Sequence, residues 1–130
     1  MSISGKWEGK LVDATGAMAS IELNMADKDG RVAGDFGLYF LVDDPGCCGP
    51  QRRLSQTGEV RGQVRRDGSV RLDYKVMAGL KPVAVVFEGR LSETNGHAKQ
   101  ALLGCFEASD GQDALTLRGG GAVLWQYAGQ

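Results

Sequence analysis

The sequence predicts an all-β protein, a single eight-stranded antiparallel up-and-down (meander) β-barrel over residues 1–130. Three observations carry that prediction. Asp-Gly or Asn-Gly pairs punctuate the chain in DKDGR (27–31), RRDGS (65–69) and TNGH (94–97), and between alternating apolar segments such pairs are the strongest short-range hairpin signal. The flanking segments alternate apolar and polar residues, as strands with one dry face do. Finally, the chain has 20 glycines and few segments with helical periodicity. Half-buried strands with no helix to cover them are best accommodated by closing the sheet, which removes both edges. Hairpins that join neighbours directly favour a meander over a two-sheet sandwich, which usually needs Greek-key crossovers.

Reading outward from the turns gives strands at 3–12, 17–26, 31–42, 57–65, 69–77, 83–92, 97–108 and 113–127, the last interrupted by RGGG. In the first, Ile3, Gly5, Trp7, Gly9 and Leu11 share a face; in the second, Ile21, Leu23 and Met25 oppose Ser20, Glu22 and Asn24. Val32, Gly34, Phe36, Leu38 and Phe40 form the dry face of the third, and Val60, Gly62 and Val64 that of the fourth. Val70, Leu72, Tyr74 and Val76 oppose Arg71, Asp73 and Lys75 in the fifth, and Val83, Val85, Phe87, Gly89 and Leu91 continue the dry face in the sixth. The seventh is ambiguous, because ALLGCF puts apolar residues on both faces.

Size and charge narrow the function classes. The chain is long enough for one domain with a hydrophobic core and too short for two ordinary ones. Fifteen Lys and Arg against 16 Asp and Glu are scattered in ones and twos, so no nucleic-acid footprint is expected. No apolar run reaches the roughly 20 residues of a membrane span, and MSISGKW lacks the pattern of an export signal. The expectation is a cytoplasmic protein that is not a membrane partner.

A strict meander puts the three tight turns at one end and gathers VDATGA (12–17), VDDPGCCGPQRRLSQ (42–56), VMAGLKPV (76–83) and EASDGQD (107–113) at the other. Barrel mouths often hold ligands, and loops carry function on rigid scaffolds, so this richer rim is the expected working end. Phe36, Phe40, Tyr74, Phe87, Phe106 and Trp125 are the aromatic candidates for the lumen. Two readings fit them: side chains that simply fill a small barrel, or the lining of a site for an apolar or flat small molecule. Arg52 joins the candidates from the long third connection.

SGKWEGKL at the start, GRVAGDF in the third strand, the eight-strand meander and the long third connection resemble the avidin and streptavidin family, and more loosely the calycin barrels. The resemblance implies an avidin-like barrel, a third connection acting as a lid, Trp7 plugging the closed end, and pairing of barrels through outward apolar faces. Tyr39, Leu41, Ala84, Val86 and either Leu102 or Leu103 would supply such a face, giving a homodimer or homotetramer. The family's first-strand asparagine falls at Gly9, its third-strand tyrosine at Phe36 and its fifth-strand tryptophan near Tyr74, while ALLGCF holds no tryptophan. The expected protein is therefore avidin-like without binding biotin.

The three cysteines, Cys47, Cys48 and Cys105, are expected near the same rim. A disulfide from Cys47 or Cys48 to Cys105 would pin the lid; a redox switch, or small unreactive residues in a turn, are the other readings. No metal is expected, since C-x-x-C spacing is missing and the one histidine, His97, is expected at the opposite end. No cofactor and no catalytic residue are expected, because no Ser-His-Asp or Cys-His set assembles on the rim. The alternatives to a binding protein are a small barrel enzyme of cyclase or isomerase type, which acts chiefly by shaping an apolar substrate, and a filled barrel serving as a protein-interaction or inhibitor module.

Overall fold

Main-chain pairing fixes the architecture in a computed structural model that describes residues 3–13, 18–43, 50–78, 80–93, 98–108 and 119–127. The strands are β1 (Gly5–Asp13), β2 (Met18–Lys28), β3 (Arg31–Asp43), β4 (Pro50–Val64), β5 (Ser69–Ala78), β6 (Lys81–Glu93), β7 (Ala98–Ala108) and β8 (Gly119–Tyr127). Each pairs antiparallel with its neighbours in sequence, and β8 returns to β1 through seven paired positions from Trp7–Gln126 to Asp13–Gly120, closing the barrel. The fold is the expected up-and-down β-barrel, with no helix among the described residues.

Turn chemistry explains the two hairpins described at one end. Asp29 and Gly30 both take positive φ, 54° and 81°, as the two central residues of a type I′ turn must, and their hand of twist matches that of the flanking strands. At the next hairpin, Gly68 N–H donates to the Arg65 carbonyl at 3.1 Å and Gly68 takes φ 86°. The Ser69 hydroxyl and amide donate to Asp67 Oδ1 at 2.7 and 2.9 Å. Val64 N–H donates to Gly30 O and Leu91 N–H to Gly68 O, tying these turns to neighbouring strands at one end of the barrel. The TNGH turn lies outside the described residues.

The same end is plugged from within. Trp7 and Ile3 are fully buried, and Trp7 Nε1 donates to the Ile3 carbonyl at 2.8 Å. The chain before β1 is fastened by reciprocal bonds: Ile3 N–H donates to Asp27 Oδ2, and Asp27 N–H donates to Ser4 Oγ at 2.9 Å. Gln126, a polar side chain only 4 % exposed, donates from Nε2 to the Ser4 carbonyl at 2.5 Å and accepts from Gln100 Nε2 at 3.0 Å. Burial of a polar group is tolerated here because each partner is supplied. Above the plug the core is apolar, with Leu23, Leu72, Leu102 and Val70 at 1 % exposure or less.

One strand begins well before its expected bound. Residues 50–56, expected in the loop, begin β4 and pair with β3 from Asp43–Pro50 to Leu38–Gln56, across a register shift at Leu38/Tyr39. The alternation that marks other strands is missing here because Gln51, Arg53, Leu54 and Ser55 are all exposed: an arm wet on both faces carries no period-two signal. The third connection thus shrinks to residues 44–49, outside the described residues, as are Cys47 and Cys48 within it. Residues 113–118, expected to open the last strand, lie outside the described residues; the described part of β8 runs from Gly119.

Candidate functional site

Strand parity sorts the candidate residues. Phe36, Tyr74, Phe87 and Phe106 all face inward and are 2 %, 7 %, 2 % and 2 % exposed, and Phe40 is partly buried against the same core. They run round the wall on β3, β5, β6 and β7, with Phe87 directly opposite Phe106. Phe36 and Tyr74 meet across β4 with ring centroids 5.0 Å apart and planes tilted by 53°, an arrangement worth about 0.5–1.5 kcal/mol beyond area burial. They can meet because the residue between them is Gly58, paired with Phe36. A Cβ at Gly58 would lie 2.8 Å from Phe36 Cε1, so the ring occupies the space that any other side chain would claim.

Three other candidates fall elsewhere. Trp125 alternates with the inward Ala122, Leu124 and Gln126 and so stands half-buried on the outer face, a correction to its expected place in the lumen. Cys105 is free and exposed, beside Glu88 and Gly121 on neighbouring strands. Being one residue from the inward Phe106, it points away from the lumen; Cys47 and Cys48, its partners in the reading where a disulfide pins the third connection, lie outside the described residues. Arg52 lies in β4 opposite Leu41 rather than in a loop. Parity also resolves ALLGCF: Leu102 is buried, whereas Leu103 is 51 % exposed on the outside, opposite the exposed Val123.

One polar atom in this wall stands apart. Among the described residues the Tyr74 hydroxyl has no hydrogen-bond partner although the side chain is 7 % exposed, whereas the buried Ser20 accepts from Lys10 Nζ at 2.7 Å and Gln126 is bonded as above. Burial alone pushes the Tyr74 phenol well above its ordinary 10.0, since the charged form loses its water. An unmet buried hydroxyl costs about 1–3 kcal/mol.

Tyr74 lines a groove of about 720 Å³ where β4 and β5 part, within the size range of small-molecule sites. Gly58, Tyr74 and Val85 form its inner side, and Met77, Pro82 and Ala84 extend it outward. Glu59, Arg61, Asp73 and Lys75, two of each sign, surround it, so the rim selects for neither anion nor cation. Gln56, Gly58 and Met77 were not among the sequence candidates. Gly58 carried a legible signal, a glycine in a strand where another group approaches closely, while Gln56 and Met77 matter only through a register that the sequence does not display.

No family model, curated protein or solved structure matches this chain.

Proposed function

We propose that this barrel binds a small, flat, largely apolar molecule bearing one hydrogen-bond acceptor. The observation that carries the reading is the buried, unpartnered hydroxyl of Tyr74, a residue that lines the groove and whose ring packs on Phe36. Buried polar groups are nearly always hydrogen-bonded, and exceptions concentrate where a ligand completes the set. Phe36, Val85 and Gly58 supply an apolar bed, and Phe87 and Phe106 continue it round the wall. A carbonyl accepting from Tyr74 Oη would replace the missing bond, and the charge-balanced rim suits a neutral body.

Biotin is not the proposed ligand. Gly9 and Phe36, the positions to which the resemblance would carry the avidin family's asparagine and tyrosine, offer no polar side-chain atom to biotin.

Prodan, a planar naphthalene bearing one ketone, matches the proposed chemistry and reports on polarity and hydrogen bonding by its emission. Titrated into the protein, it is expected to bind saturably with one molecule per chain and a blue-shifted emission, undisturbed by excess biotin. Emission that rises without saturation, or displacement by biotin, would overturn the reading.

A further inference from the structure

We propose that the seam between β4 and β5 is the ligand's door through the side of the barrel, and that Gln56 is its latch. The inference rests on the small-molecule reading above and adds to it a route and a gatekeeping residue.

The β4–β5 ladder covers only Val60–Val64 against Val70–Tyr74. Both strands continue beyond it: β4 stays paired with β3 as far back as Pro50, and β5 stays paired with β6 through Ala78. Over Lys75–Ala78, therefore, β5 runs beside β4 without the main-chain bonds that hold the rest of the wall. Among the described residues this is the longest stretch in which two neighbouring strands both outrun their ladder. The groove lies along this stretch, and it reaches the inward-facing Tyr74 and Val85.

One side chain bridges the gap. Gln56 Nε2 donates to the Met77 carbonyl at 3.1 Å, and Met77 N–H donates to Gln56 Oε1 at 2.6 Å. A carboxamide thus performs the exchange that a main-chain partner performs elsewhere in the sheet. The difference is mobility. A ladder residue lets go only if the backbone moves, whereas Gln56 lets go by rotating its side chain, in an exposed setting where water replaces both bonds. On the β4 side Gly58 places no side chain between Thr57 and Glu59, and the tilted pair of Phe36 and Tyr74 stands immediately inside. A planar molecule passing this seam meets Tyr74 in the wall of the opening itself.

The test is stopped-flow binding of Prodan to the full chain and to Gln56→Ala, with amide exchange followed by NMR on both proteins. Loss of the latch is expected to raise association and dissociation rates together by about tenfold, the equivalent of one to two net hydrogen bonds, while Kd changes less than about twofold because the bound state keeps its Tyr74 bond. The Met77 amide should exchange faster, while those of Val60–Val64 keep their protection and show that the fold is intact. Rates that stay at the wild-type values although Met77 exchanges faster would overturn the door and leave the binding reading standing. Should the wild-type chain bind no Prodan, the binding reading fails, and the door with it. If the ladder amides also lose protection, Gln56→Glu, which keeps the acceptor for Met77 N–H and removes the donor, decides between the same outcomes.

Discussion

Tyr74 joins two properties that usually exclude one another, deep burial and an unmet hydroxyl. Replacing it with phenylalanine removes the unmet group without emptying the site. Tyr74→Phe is therefore expected to raise stability by up to about 1–2 kcal/mol in urea unfolding, since the hydroxyl's desolvation is no longer unrelieved. The same phenol gives a pH signature. Its pKa is raised on folding, so its contribution to stability is whole below the ordinary value of 10.0 and is lost as pH climbs above it. An absorbance titration should show a tyrosine that ionises late, a step absent from Tyr74→Phe; identical alkaline limbs in the two proteins would contradict the assignment. Gly58 is the second residue with a readable consequence. A methyl group there meets the Phe36 ring at 2.8 Å, so Gly58→Ala should cost about 1–3 kcal/mol and alter the near-ultraviolet circular dichroism of the aromatic set.

At the scale of the elements, β1 depends on the plug that precedes it. Trp7→Phe loses buried volume and leaves the Ile3 carbonyl without its donor, a change expected to destabilise by about 2–4 kcal/mol; a midpoint in denaturant within error of wild type would show the plug to be dispensable. The elements also show what could be read from the chain. The turn at Asp29–Gly30 and the dry faces of β2, β3, β5 and β6 were legible because each rests on a local rule, positive φ or strict alternation. The first half of β4 was not, because Gln51, Arg53, Leu54 and Ser55 are exposed and only pairing with β3 makes them a strand. Phe36 and Tyr74 were legible as inward residues, but their meeting across Gly58 and the silent hydroxyl depend on three strands at once. Cys105 lies toward the far end of β7, as its position along the chain suggested, but its outward face follows only from its parity with Phe106.

For the whole molecule, closure makes each strand's pairing depend on all the others, and the β1–β8 ladder joins the first strand to the last. Such a wall is rigid except where a ladder stops early, which concentrates movement at the β4–β5 seam beside Tyr74. The plugged end, the aromatic belt and the loosened seam divide one barrel into an anchor, a bed and an opening. The central claim is that the Tyr74 hydroxyl serves a bound molecule, and paired Prodan titrations of wild type and Tyr74→Phe test it most directly. The account predicts saturable binding in both, about tenfold weaker in Tyr74→Phe, as the loss of one buried hydrogen bond requires, with emission shifted further to the blue. Equal affinity and equal emission in the two proteins would contradict it.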